Sequence, residues 1–175
     1  MKSIIACVAA VSAMLVSARA ADVTAKITDV HICCKSCVTL AEKAVAEVPN
    51  VTAKADQEEG TVTLPGPDTA SVQKAADALI AAGFFGKSNN ADIKINASTG
   101  AKGEKVQTLE VSGVHLCCAK CVKAVNAVCM AVPGVQANTA AKGVKTFQVT
   151  GDFNDADLLA ALQKAGLTGK VGPAK

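Results

Sequence analysis

The sequence contains no tryptophan and no tyrosine, and only four phenylalanines in 175 residues. Without such rings there is no platform on which nucleotide bases would stack and no large aromatic pocket for an organic ligand. An excess of one charge is missing too. The chain carries 18 basic and 15 acidic side chains, and setting aside Lys2 and Arg19 leaves a net of +1. That balance gives no electrostatic footprint for nucleic acid or an anionic membrane, so no nucleic-acid partner is expected. Phosphate-cradling glycine loops and paired catalytic carboxylates are also absent, and a hydrolase or transferase has nothing to rest on.

No apolar run reaches the roughly 20 residues that cross a bilayer. The stretch Ile4 to Val16 follows a basic Lys2 and precedes Ala18-Arg19-Ala20, a small-x-small cleavage pattern. Residues 1–20 therefore read as a secretory signal peptide. The chain is expected to cross the inner membrane, with the periplasm as its destination. Ile4-Ile5-Ala6-Cys7 resembles a lipoprotein box but falls before the apolar region has developed, so Cys7 is assigned to the removed leader.

What the sequence does contain is cysteine, eight residues of it, six of them in two short segments. The first reads Val30-His31-Ile32-Cys33-Cys34-Lys35-Ser36-Cys37-Val38, and the second Val114-His115-Leu116-Cys117-Cys118-Ala119-Lys120-Cys121-Val122. Both histidines of the chain lie in them. The offset of 84 residues holds from His31 to His115, from Cys34 to Cys118 and from Pro49 to Pro133. The chain is a tandem duplication of a thiol-rich site. Exported proteins often use cysteine for disulfides, but a stapled scaffold spreads its cysteines to close loops, and these are clustered. Clustering points to metal ligation or redox chemistry.

Each repeat has the same plan. Asp22 to Thr28 alternates as a strand, and from Cys37 the apolar positions move to helical spacing at Val38, Ala41, Val45 and Val48 until Pro49. Val51 to Ala55 and Thr61 to Leu64 make a hairpin, and a helix capped by Asp68 or Thr69 runs to Gly83. Ile93-Lys94-Ile95 is expected as the last strand. The second copy follows with a strand at Val106 to Val111, a helix at Cys121 to Val132, and hairpin strands at Val135 to Ala137 and Val144 to Val149. A helix at Asp155 to Ala165 and a short strand near Lys170-Val171 complete it. The predicted class is α+β, two tandem ferredoxin-like (βαββαβ) domains at residues 21–96 and 105–175 joined by a small, polar linker at 97–104.

With Cys34 just before a helix and Cys37 in its first turn, residues three apart share a face and their sulfurs converge. The free N–H groups of that turn favour thiolate. Cys118 and Cys121 repeat the arrangement. Convergent thiolates suit a soft ion, with Cu(I) and Zn(II) as the usual candidates.

A Cys-x-x-Cys between the first strand and first helix of a βαββαβ unit resembles the heavy-metal-associated domain family, which includes copper chaperones, metal-sensing modules of P-type ATPases and an exported mercury-binding protein. The resemblance covers residues 22–96 and 105–172. It implies metal ligation by Cys34 and Cys37, and by Cys118 and Cys121. It also implies a partner that passes on metal, either a metal-transporting membrane protein or another metal carrier. Gly83-Phe84 is similar to the family's glycine-aromatic pair beside the metal loop, where the second unit has Gly166-Leu167.

Two departures stand out. The family's methionine has no match, and a cysteine and a histidine enlarge the loop. Cys33 and Cys117 either ligate directly or pack inward as small hydrophobes. His31 and His115 either join the ligand set, which would make a Cys₃His zinc site, or make ordinary backbone hydrogen bonds. Cys129 aligns with Val45 and is expected in the core, and Met130 aligns with Ala46. The expected function is an exported, non-enzymatic protein that sequesters or transfers a soft metal ion, Cu(I) first. The alternatives are a zinc-binding Cys/His protein and a thiol–disulfide oxidoreductase. The two sites either load independently or clamp one ion between the units.

Overall fold

The computed structural model describes residues 22–172, so the expected signal peptide and Cys7 lie outside the described residues. The first unit is built from β1 (Val23–Thr28), α1 (Lys35–Val45), β2 (Lys54–Asp56), β3 (Thr61–Gly66), α2 (Thr69–Ala81) and β4 (Lys87–Ser88). The second repeats it with β5 (Lys105–Ser112), α3 (Ala119–Ala131), β6 (Val135–Asn138), β7 (Thr146–Asn154), α4 (Asp155–Lys164) and β8 (Lys170–Val171). The two four-stranded sheets have the orders β2-β3-β1-β4 and β6-β7-β5-β8, and every pairing is antiparallel. This is the ferredoxin-like arrangement, twice.

Periodicity explains the core. On β1, Ala25 and Ile27 face the helices, while α1 contributes Cys37, Ala41 and Val45 and α2 contributes Val72, Ala75, Ala76 and Leu79. The buried face of α1 thus runs through positions four apart and begins at the motif cysteine itself. Leu40 lies outside that stripe and is exposed. Cys129 sits fully buried where Val45 sits in the first copy, so it is a core residue, and burial pushes its thiol up to about 11. Met130 is exposed on the far side of the same turn.

The chain differs from the sequence-based expectation after α2. The last strand of the first unit is Lys87–Ser88, pairing with Ile27 and Thr28, and Ile93-Lys94-Ile95 is coil. Ile93 is buried as its alternation implies. No strand forms there because the Gln73 side chain of α2 takes both backbone groups of Lys94, accepting its N–H at 2.8 Å and donating to its carbonyl at 2.8 Å. A helix side chain thereby substitutes for a neighbouring strand.

The stretch expected to be a linker is fastened to the second unit. The Asp155 carboxylate accepts the backbone N–H groups of Lys102 and Gly103 at 2.8 Å and of Glu104 at 2.9 Å. Asn154, not Asp155, caps α4, its side chain accepting from Ala156 and Asp157. Burial pushes the Asp155 carboxyl up, but the three backbone donors outweigh it and hold the group below its ordinary value. Val171 N–H also donates to Thr99 O at 2.8 Å. The tether between the units is therefore short and ordered, which limits how far the two motif loops can part.

Between the units runs a seam of irregular chain. Phe84 and Leu167 form an antiparallel bridge, with Phe85 N–H donating to Gly166 O at 3.1 Å and Thr168 N–H to Gly83 O at 3.0 Å. Gly166 O accepts a second bond, from His31 N–H at 3.2 Å. Both glycines are required by close approach. A Cβ on Gly166 would lie 2.4 Å from Asp29 O and His31 N, and one on Gly83 would lie 2.4 Å from Gly113 O and 2.7 Å from His115 N. The seam has approximate two-fold symmetry and carries the two motif loops into each other.

Candidate metal centre

Each Cys-x-x-Cys is set by its helix. Cys34 and Cys118 are the extended residues at the N-caps of α1 and α3, and Cys37 and Cys121 sit in the first turns, fully buried. The spacing brings the sulfurs of each pair together, at 3.6 Å for Cys34–Cys37 and 3.7 Å for Cys118–Cys121. All seven described cysteines are free thiols.

The two pairs are not separate sites. Cys33 Sγ lies 3.4 Å from Cys121 Sγ and 3.5 Å from Cys118 Sγ, and Cys37 Sγ lies 3.5 Å from Cys117 Sγ. Cys34 and Cys118 are 3.7 Å apart, and Cys37 and Cys121 3.8 Å. Within the loops, Cys33 is 3.6 Å from Cys37, and Cys117 is 3.7 Å from Cys121. Every motif thiol therefore has a thiol neighbour on its own unit and another on the opposite unit.

The histidines flank this cluster. His115 is buried, with Nε2 at 3.4 Å from Cys37 Sγ of the other unit. Its ring lies against Phe84, with centroids 4.5 Å apart and planes tilted by 32°. His31 Nε2 is buried with no hydrogen-bond partner. An imidazole nitrogen left alone beside thiols costs free energy unless something occupies the position it faces. Burial is also the first cause that lowers the His31 pKa, which favours the neutral ligand form.

The thiols share their protons unevenly. Cys37 is held well below an ordinary thiol, first by its contact with the Cys121 sulfur and then by His115, against the effect of burial. Its symmetry mate Cys121 is pushed up by the complementary effect of its contact with the Cys37 sulfur and by desolvation. The two sulfurs titrate as a pair, with Cys37 the side that favours thiolate. Burial pushes Cys33 up to about 12 and raises Cys117 as well. Cys118 is brought down to about 6, foremost by the Cys121 backbone N–H at the start of α3. A soft cation entering here would displace protons from the thiols as they become ligands.

No family model and no curated protein matches this chain. Among solved structures it is similar to the N-terminal soluble domains of Bacillus subtilis CopA in solution. That match has 18% identity over 89% of this chain and 97% of that one, with a TM-score of 0.32. It is also similar to the first two RRM domains of the yeast poly(U) binding protein Pub1, at 12% identity over 87% of this chain and 99% of that one, with a TM-score of 0.23. The fold assignment stands on strand order and pairing, independently of either likeness.

Three overlapping groups of donor atoms lie within 4.8 Å of one another: Cys37 with His115, Cys117 and Cys121; His31 with Cys33 and Cys121; and Cys33 with Cys34 and Cys118. The structure brings together all eight residues singled out in the motifs. Cys33 and Cys117 point into the cluster, and the two histidines sit at its edge. What the sequence reading missed is the seam. Gly83, Phe84 and Gly166 position the opposite unit's loop rather than their own, and the repeat of Gly83-Phe84 as Gly166-Leu167 was the available signal.

Proposed function

We propose that this protein captures soft metal ions outside the cytoplasm and passes them on by ligand exchange between thiolates. Cu(I) is the preferred cargo. The observation that carries the reading is the meeting of six thiols and two imidazoles in one place with no carboxylate among the grouped donors. Such a donor set selects soft and borderline ions over hard ones. The half-buried group of Cys33, Cys34 and Cys118, outside the fully buried Cys37 and Cys121, forms the mouth through which an acceptor thiolate can attack. The partner in exchange is a metal-transporting membrane protein or another metal carrier. No chemical step is needed, so the protein is read as a carrier and not an enzyme.

One observation favours a second ion. Cys37, Cys117, Cys121 and His115 make a Cys₃His group, which is a familiar closed zinc set. Anaerobic titration of the reduced chain with Cu(I) and Zn(II) against competing chelators decides between them. The proposal expects Cu(I) to be held far more tightly, with weaker and slower exchange with an acceptor thiolate on Cys34→Ser plus Cys118→Ser, which removes the sulfurs of the outer group. Preferred Zn(II) binding that depends on His115 would replace Cu(I) as cargo. Uptake of neither ion, with rapid insulin reduction, would move the function to thiol–disulfide exchange.

A further inference from the structure

We infer that the centre holds a thiolate-bridged cluster of several monovalent ions rather than a single clamped ion. The inference rests on the soft-metal reading above and concerns how that metal is stored. The three donor groups are not independent, because Cys121 belongs to two of them and Cys33 to two. A single zinc ion uses four ligands, and a monovalent soft ion about two or three, so one ion leaves thiols unused at the heart of the cluster. Those unused thiols would be desolvated groups pressed against one another at 3.4 to 3.8 Å with no role. Bridging removes the surplus, since a thiolate sulfur has lone pairs for two ions.

The symmetry of the seam orders the ions. His115 and Cys117 of the second unit meet Cys37 of the first, and His31 and Cys33 of the first meet Cys121 of the second. Each histidine loop completes the opposite unit's helix-start cysteine. The third group, Cys33 with Cys34 and Cys118, lies at the more exposed mouth. Ions in these three positions share Cys121 between the two histidine-bearing groups and Cys33 between an inner group and the mouth. Each thiol that becomes a ligand releases its proton to solvent, the ions enter and stay as Cu(I), and no electron moves. The positive charge of the added ions offsets repulsion among the thiolates, so occupancy of one position favours the next.

The test is stepwise Cu(I) loading of the full reduced chain under anaerobic conditions, followed by native mass spectrometry and copper X-ray absorption. Loading is expected to pass a one-ion species at low abundance and reach three ions, with a metal–metal scattering shell. Saturation at one ion, or at two with no such shell, would overturn the cluster while leaving the carrier reading standing. Failure to take up Cu(I) at any ratio would overturn both. Cys33→Ser removes a half-buried bridging sulfur and is expected to lower the stoichiometry by more than one ion and abolish the metal–metal shell. Cys34→Ser removes a terminal ligand and is expected to cost one ion and keep that shell. Equal losses in the two variants would contradict the bridging assignment.

Discussion

The close approach between the units at Gly166 allows the composite centre to be taken apart without touching a ligand. Gly166→Ala places a methyl group 2.4 Å from Asp29 O and His31 N of the opposite unit, both backbone atoms that cannot step aside. Relief to ordinary contact requires the units to separate by about 1 Å at this point. The bonds that Gly166 O accepts from His31 and Phe85, at 3.2 and 3.1 Å, would then fail. Two lost hydrogen bonds at about 1 kcal/mol each, with about 1–3 kcal/mol of overpacking, give about 3–5 kcal/mol against the closed arrangement. At 1.4 kcal/mol per decade this is roughly a hundredfold shift or more towards open units. The φ of Gly166 is +77°, so alanine also carries left-handed strain, but Gly143 has the same φ of +77° with nothing within 4 Å of a Cβ. Gly143→Ala therefore carries the strain without the wedge. Small-angle scattering and Cu(I) competition titration of both variants form the assay. Gly166→Ala should expand the molecule and weaken Cu(I) binding at least tenfold, with Gly143→Ala unchanged. If the two behave alike, the seam does not hold the centre together.

Other expectations concern residues around the site. Asp155→Asn weakens three charge-assisted bonds to residues 102–104 and should cost about 2–3 kcal/mol in urea unfolding at neutral pH. Because the folded carboxyl is held below its ordinary 3.8, that stability is present above 3.8 and is lost as pH falls through the lower folded value. The gap between wild type and variant should close in acid, and a gap that widens there would contradict the assignment. Cys129→Ala, a core truncation far from the thiol cluster in role, should cost about 1–2 kcal/mol while leaving metal stoichiometry unchanged. A lost ion in that variant would show that the sulfur is a ligand. His31→Ala relieves a buried nitrogen that has no partner, so it should leave the apo protein as stable or more stable and lower Cu(I) affinity. An apo protein strongly destabilised by the change would mean that the ring serves packing.

The elements that carry the centre were legible because their signals are local. Alternation at Ala25 and Ile27, the helical stripe behind Cys37 and the Asp68 cap, whose side chain accepts Ser71 N–H, each follow from a few neighbouring residues. The 84-residue repeat then placed a thiol pair at the same junction in both units. The misreadings share a physical reason, which is that a distant group decided the outcome. Ile93-Lys94-Ile95 alternates like a strand, yet a glutamine from α2 occupies its backbone. Residues 97–104 have the composition of a linker, which does not reveal that Asp155 pins the last three. The union of the motifs was an open alternative for the same reason. It depends on backbone pairing between residues 83–85 and 166–168, where side-chain periodicity says nothing.

The central claim is that one centre is built from both units. The most direct test is the Cu(I) affinity of two double variants, Cys34→Ser with Cys37→Ser and Cys118→Ser with Cys121→Ser, compared with wild type under one chelator. A shared centre predicts that either pair of changes removes more than half of the bound copper and weakens what remains. Two variants that each keep half of the copper at wild-type affinity would contradict it, leaving two independent sites on a common fold.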